Sequence, residues 1–249
     1  MKRIISLLLA LTLVLSMLAL VSCKGSNNDN DGNTVEALAG KTPRELYELT
    51  KAKLTAATKY SIISEQVITV SDVTVNQTVT RKLDGDNCYF ETYNDTATDA
   101  NMKIWYVDGI MYMDTSLGKS KCEYTKEQYM EDYMEEDPSE STLLDIPESW
   151  FVDVKFEKEG ESWVLNLVIS AAKYNELLAN TNLGSTINGD VVYKVYFDTD
   201  GNMGKITTSF DMTVSGSDAH CDQVSFVTFD GFTVTAPEGA ENYQLTAMP

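Results

Sequence analysis

The residues able to carry chemistry are few and widely spaced. The chain has one histidine, His220, and four cysteines, Cys23, Cys88, Cys122 and Cys221, set among 38 acidic residues. A single histidine excludes a multi-histidine metal site and a relay through a second imidazole. His220 is followed by Cys221, the residue types of a thiol–imidazole pair, but neighbours on a strand point to opposite faces. His220 is expected to be a surface residue near a turn. No G-x-S-x-G elbow, P-loop or C-x-x-C occurs. Asp198-Thr199-Asp200-Gly201-Asn202 starts like a calcium loop, but Ser209 stands where the twelfth-position glutamate belongs, so the segment reads as a hairpin turn. The acidic run Glu131, Asp132, Glu135, Glu136 and Asp137 reads as a solvated helix face. Paired carboxylates for glycoside hydrolysis can be found in any chain this acidic and carry no weight. The expectation is a protein that is not an enzyme and uses no metal or cofactor.

Cys23 differs, because its surroundings are informative. Lys2 and Arg3 form a short positive region, and residues 4–21 carry no charge. At about 1.5 Å per helical residue such a segment just spans a ~30 Å hydrocarbon core, so it suits a signal peptide or a transmembrane anchor. Leu20-Val21-Ser22-Cys23 decides between them, since it matches the lipobox pattern of bacterial lipoprotein signals. Small residues before the cut suit the peptidase, and the Cys23 thiol is the nucleophile that accepts a diacylglyceryl group. Two or three acyl chains, palmitate among them, anchor far more firmly than one, at about 0.8 kcal/mol per buried CH2. Residues 24–34 (KGSNNDNDGNT) hold no apolar side chain and behave as a flexible tether. The expected organisation is a signal peptide over 1–22, the lipidated cysteine and tether over 23–41, and a single domain over 42–249. That domain would be held on the extracytoplasmic face of the cell membrane.

Without Lys2 and Arg3 the chain keeps 17 basic residues against 38 acidic ones. Phosphate backbones and anionic head groups repel such a surface, so nucleic-acid binding and a basic face lying on the membrane are both disfavoured. Cys88, Cys122 and Cys221 are odd in number and cannot all pair within one chain. One disulfide with a free thiol, or three buried thiols acting as small apolar side chains, both fit.

The elements that would position these groups can be read in order. Thr42-Pro43-Arg44-Glu45 is a capping box with proline at the first helical position, and Leu46, Leu49, Leu54 and Ala57 then share one face of a helix over 43–58. From Tyr60 the period becomes two. Runs at 60–70, 73–83, 87–93, 101–107 and 110–115 form a consecutive meander, with Val73, Val75, Val79 and Leu83 on one face and Asp108-Gly109 as a hairpin turn. Residues 126–136 read as an acidic helix with Tyr129, Met130 and Tyr133 on its apolar side, and 139–150 as a short helix or turn. Strands return at 151–158 and 162–169, a helix capped by Ser170 covers 170–180, and strands follow at 190–198, 204–214 and 222–235. In 204–214 the residues Ile206, Thr208, Phe210, Met212 and Val214 face one way, the pattern of a sheet with one wet face.

A lipobox, a polar tether, an amphipathic helix, a long meander, a helical insertion and a strand–helix–strand–strand–strand ending in F-x-V-x-x-P resemble the LolA/LppX-like lipoproteins. Residues 190–214 look like their late hairpin and 229–239 like their last strand. The resemblance implies an α+β half-barrel, a strongly curved antiparallel sheet wrapping around two or three helices. It also implies an apolar ligand, a lipid or acylated molecule, between sheet and helices, but brings no site residues with it. From the strand inventory the candidates are Phe90, Ile104, Tyr106, Met111, Met113, Tyr193, Phe197, Phe210, Met212 and Phe226. Flexible methionines suit an adaptable apolar surface. The same residues could instead fill the core of a monomeric, non-catalytic surface module that binds another envelope protein or a cell-wall component. The anchoring step is tested first: palmitate labelling and membrane fractionation should show an acylated, membrane-bound chain, and Cys23→Ser should abolish the label and leave the precursor uncut.

Overall fold

The computed structural model describes residues 38, 40–71, 73–134, 148–160, 162–179, 185–198, 201–214 and 216–246. The expectations for Cys23, the signal segment and the 24–34 tether lie outside them. Among the described residues no helix is long and apolar enough to cross a membrane.

The runs of period two become strands β1 (Lys59–Val70), β2 (Val73–Asp84), β3 (Asn87–Asn94), β4 (Met102–Val107) and β5 (Ile110–Thr115). Asp108 and Gly109 both take positive φ, 52° and 80°, which a two-residue hairpin turn of type I′ requires. After β6 (Gly118–Glu123) come β7 (Phe151–Glu159), β8 (Ser162–Ile169), β9 (Ser185–Ile187), β10 (Val191–Phe197), β11 (Met203–Val214), β12 (Ser217–Thr228) and β13 (Gln244–Leu245). All thirteen belong to one curved, unclosed sheet in the order β13-β6-β5-β4-β3-β2-β1-β12-β11-β10-β8-β7, with β9 beside β11. Every pair is antiparallel except β13 with β6.

Among the described residues three α-helices pack on this sheet. Helix α1 (Pro43–Ala56) starts at the expected capping box: Glu45 N–H donates to Thr42 Oγ1 at 3.3 Å, and Thr42 N–H donates to Glu45 Oε2 at 2.7 Å. It buries Leu46, Tyr47 and Leu54 and lies against β7 and β8. Helix α2 (Lys126–Tyr129) runs into a π-helical turn at Met130–Met134, with Tyr129 and Met130 buried as expected. The rest of the expected helix, 135–136, lies outside the described residues, as does most of 139–150. Helix α3 (Ala171–Leu178) follows the expected Ser170, although Asp190 Oδ1 accepts the Ala171 N–H at 3.0 Å.

The C-terminal strand differs from the expectation of 222–235. Strand β12 begins at Ser217, so that its full length pairs with β11, and it stops at Thr228. Gly231 at φ 76° turns the chain out of the ladder. Val234 is then pinned by its N–H to Asp84 Oδ2 at 3.0 Å, and its carbonyl accepts from Asn87 Nδ2 at 3.3 Å. Residues 229–239, read above as a last strand, are therefore an extended strap clipped to the β2–β3 turn.

Cys88, Cys122 and Cys221 are buried as thiols and form no disulfide among the described residues, which decides the open choice in favour of three thiols. Burial raises the Cys122 thiol above its ordinary range, and burial with Asp222 nearby pushes Cys221 up to about 12. Iodoacetamide at neutral pH should therefore leave all three unmodified in the native protein and modify all three in denaturant, read by intact mass; rapid native labelling of Cys221 would contradict this packing.

Candidate functional site

Strand alternation and register decide which side chains share the concave face. Inward positions on β1 are Tyr60, Ile62, Ser64, Gln66, Ile68 and Val70, all buried. Pairing carries this phase outward. Ile62 opposes Arg81, Arg81 opposes Phe90, Phe90 opposes Ile104, and Ile104 opposes Met113. A parallel row runs Tyr60, Leu83, Cys88, Tyr106, Met111, Cys122. On the other side Ile68 meets Cys221, which meets Phe210, while Ala219 meets Met212. Tyr193 and Phe197 lie in the same phase on β10, opposite Leu167 and Trp163. Nine of the ten apolar candidates thus fall on one face.

Phe226 does not. It opposes Ile63 on β1 and Lys205 on β11, and it is 42% exposed on the convex side. Its inward neighbours are Ser225 and Val227, both buried.

The helices cover parts of the concave face. The Tyr129 hydroxyl donates to the Ile104 carbonyl at 3.2 Å, its ring lies 5.5 Å from that of Tyr106, and Tyr133 sits 6.2 Å from Phe90. On the other side the Tyr174 and Tyr193 hydroxyls bond at 2.7 Å, and Asn175 of α3 bonds both backbone groups of Ile187. Phe90, Met102 and Met113 on one flank, and Val154, Phe156 and Ile206 on the other, pack against the core yet stay partly exposed. These are two apolar shoulders on the same face.

Between the shoulders runs a band that an apolar inventory does not reveal. One cross-strand row reads Asn94, Gln77, Gln66, Gln223, Thr208, Tyr193, and the next includes Ser64 and Ser225. All are buried. Gln66 Nε2 donates to Gln223 Oε1 at 3.0 Å, Gln223 Nε2 donates to Ser225 Oγ at 3.0 Å, and the Ser225 and Ser64 hydroxyls bond at 2.8 Å. Asn94 Oδ1 accepts from the N–H groups of Thr96 and Ala97. Gln77 Oε1 and Thr208 Oγ1 have no partner among the described residues. An unsatisfied buried polar group costs about 1–3 kcal/mol. Arg81 is buried one row away with its guanidinium 5.2 Å from the Phe90 ring centre. The sequence did hold a signal for this band: Ser64 and Gln66 share the phase of Ile62 and Ile68.

The other chemical candidates lie apart from this face. Asp198 Oδ1 accepts the Asn202 N–H at 2.7 Å, as in the expected turn, although residues 199–200 lie outside the described set. Among the described residues no group of three or more acidic, histidine or cysteine side chains is placed to hold a metal ion. His220 is exposed and Cys221 buried, on opposite faces as expected. His220 Nδ1 lies 2.7 Å from Asp211 Oδ1, and Nε2 lies 3.2 Å from Asp222 Oδ2.

No family model matches the chain, and no curated protein does. Similar solved structures include the lipoprotein LppX of Mycobacterium tuberculosis, with 10% identity over 78% of this chain and 100% of that one and a TM-score of 0.40. LprF from Mycobacterium bovis shows 10% identity over 79% and 97% of the two chains, at TM-score 0.34. A LolA superfamily protein from Nitrosomonas europaea shows 8% identity over 78% and 96%, at TM-score 0.29. An LppX and a LolA superfamily protein, the two names in the resemblance stated above, are thus both among the similar structures.

The contact to Asp211, reinforced by Asp222, raises the His220 pKa above its ordinary value near 6.5. A raised folded-state pKa contributes stability that is fully present below about pH 6.5 and fades as pH rises through the folded value. Because the ring is half exposed, the contribution is a few tenths of a kcal/mol. Titration of the ring by NMR should give a midpoint above that of a free histidine, and Asp211→Asn should move it down; an unchanged midpoint in the variant would remove Asp211 as the cause.

Proposed function

We propose that this chain is a lipid-anchored extracytoplasmic lipoprotein, monomeric and non-catalytic, that binds an apolar ligand on the concave face of its sheet. The ligand is a lipid or an acylated molecule. One observation carries the reading: nine apolar side chains from both ends of the chain converge on that face, and Phe90 and Met113 among them stay partly open beneath the helices. Burial of apolar surface at about 25 cal/mol per Å2 gives such a face its affinity for acyl chains. The lipobox and tether support the anchored location.

A second reading has its own observation. On the convex face Phe226 pairs across the strands with the exposed Ile63, and the exposed Val67 lies further along β1. An apolar strip of this kind marks a protein-docking surface, which would make the chain an interaction module with a filled core.

Native mass spectrometry of residues 35–249, produced without detergent, separates the two. Adducts that vanish on solvent extraction and reappear as acyl lipids in the extract are the expected result. A bare polypeptide that also ignores added fatty acids and phospholipids would remove the ligand reading and leave the convex strip as the working surface.

A further inference from the structure

Resting on that reading of the concave face, we propose that the buried polar band is a subsite for the polar part of the ligand. The ligand is then a neutral amphiphile bearing hydroxyl or amide donors, and neither a plain hydrocarbon nor a simple carboxylate.

The argument begins with what the strands do at their centres. In the middle of β1 the apolar Ile63 and Val67 are exposed outward, on either side of the exposed Glu65, whereas the polar Ser64 and Gln66 are buried inward between Ile62 and Ile68. In β12 Phe226 is outward while Gln223 and Ser225 are inward. Four polar side chains thus face inward at the middle of the sheet while Ile63, Val67 and Phe226 face outward. A core built only for packing has no use for this arrangement, since each inward amide or hydroxyl needs a partner that an apolar side chain would not need.

The partners are incomplete on either side of the bonded residues. Gln66, Gln223, Ser225 and Ser64 bond one another. Gln77 and Thr208, each 5% exposed, flank that chain on β2 and β11, and Gln77 Oε1 and Thr208 Oγ1 are left without partners among the described residues. The two strands are three spacings apart, about 14 Å. Both residues sit on the ligand-facing side, between the apolar shoulders. Gln77 Oε1 can only accept, so what meets it must donate; the Thr208 hydroxyl can donate or accept. At Oε1 itself a ligand carboxylate or phosphate would set oxygen against oxygen. A hydroxyl or amide N–H satisfies it, while acyl chains lie toward Phe90 and Met113 or toward Phe156 and Ile206.

The test uses the full chain, purified in a mild non-ionic detergent and labelled with a diazirine-bearing fatty acyl probe. Three competitors share one chain: 1-monooleoylglycerol, methyl oleate and oleate. On the wild type the glyceryl ester should displace the probe at about tenfold lower concentration than the methyl ester, and oleate should show no such gain. The double variant Gln77→Leu, Thr208→Val should bring the glyceryl and methyl esters together by weakening the glyceryl ester. Its thermal midpoint should hold or rise, because two unsatisfied polar atoms leave the interior. Labelling that never reaches peptides of β3–β5 or β10–β11 would overturn the apolar-ligand reading itself. Labelling there with no preference for the glyceryl ester on the wild type, or with a preference that survives in the double variant, would overturn the subsite alone.

Discussion

The sheet depends on one pairing, that of β1 with β12. Both strands are twelve residues long, they meet in an unbroken antiparallel register from Ser61–Thr228 to Val70–Ala219, and each carries a consecutive run of neighbours outward. The meander β2 to β6 hangs from β1, and β11, β10, β8 and β7 hang from β12. Because side-chain period is two, a slip of one residue in this central ladder would invert every side chain on one wing relative to the other. The hydroxyl pair Ser64–Ser225 and the amide pair Gln66–Gln223 sit directly opposite each other and bond only in the observed register. Val–Val or Leu–Leu pairs would tolerate the slip better. The polar band therefore fixes alignment as well as facing the proposed ligand, at the cost of the two atoms left unmatched on either side of the bonded residues.

The helices complete the concave face from opposite sides. Helix α2 and its π turn are held over β3 and β4 by Tyr129, Tyr133 and Met130, and α3 is held over β9 and β10 by Tyr174 and Asn175. Tyrosine suits these contacts because its ring packs and its hydroxyl finds a partner. Helix α1 reaches the far side, where Tyr47 meets Phe151 edge-on and the Lys53 ammonium lies 5.1 Å from the Phe229 ring centre.

Much of this was legible in the sequence, and the failures have definite causes. The capping box followed from its own four residues, and the meander and the phase of β11 from β-branched runs of period two between turn residues. Strand β6, with the sequence GKSKCE, has no such alternation and exists because β5 offers it an edge. Phe226 is expected inward because large apolar side chains on a strand usually face the core. Its true phase is set by Cys221 and Val227 through their pairing with Ile68 and Ile62, which only the assembled ladder discloses. The polar band is half legible: Ser64 and Gln66 share the phase of Ile62 and Ile68 within β1, whereas Gln223 and Ser225 stand in the opposite phase to Phe226 and look like solvent-facing residues when β12 is read by itself.

The central pairing also governs when the molecule can form. Ser64 and Ser225 are 161 residues apart. Strands β1 to β5 can zip locally as hairpins, but the open side of β1 has no partner until almost the whole chain has been delivered. Loop closure over that distance is entropically expensive, and topologies with such distant contacts fold slowly. Until then β1 presents a long, β-branched, unpaired edge, the kind of surface that recruits other chains. A chain emerging amino-terminus first is therefore vulnerable to aggregation for most of its emergence, and a truncation that removes β12 leaves that vulnerability permanent.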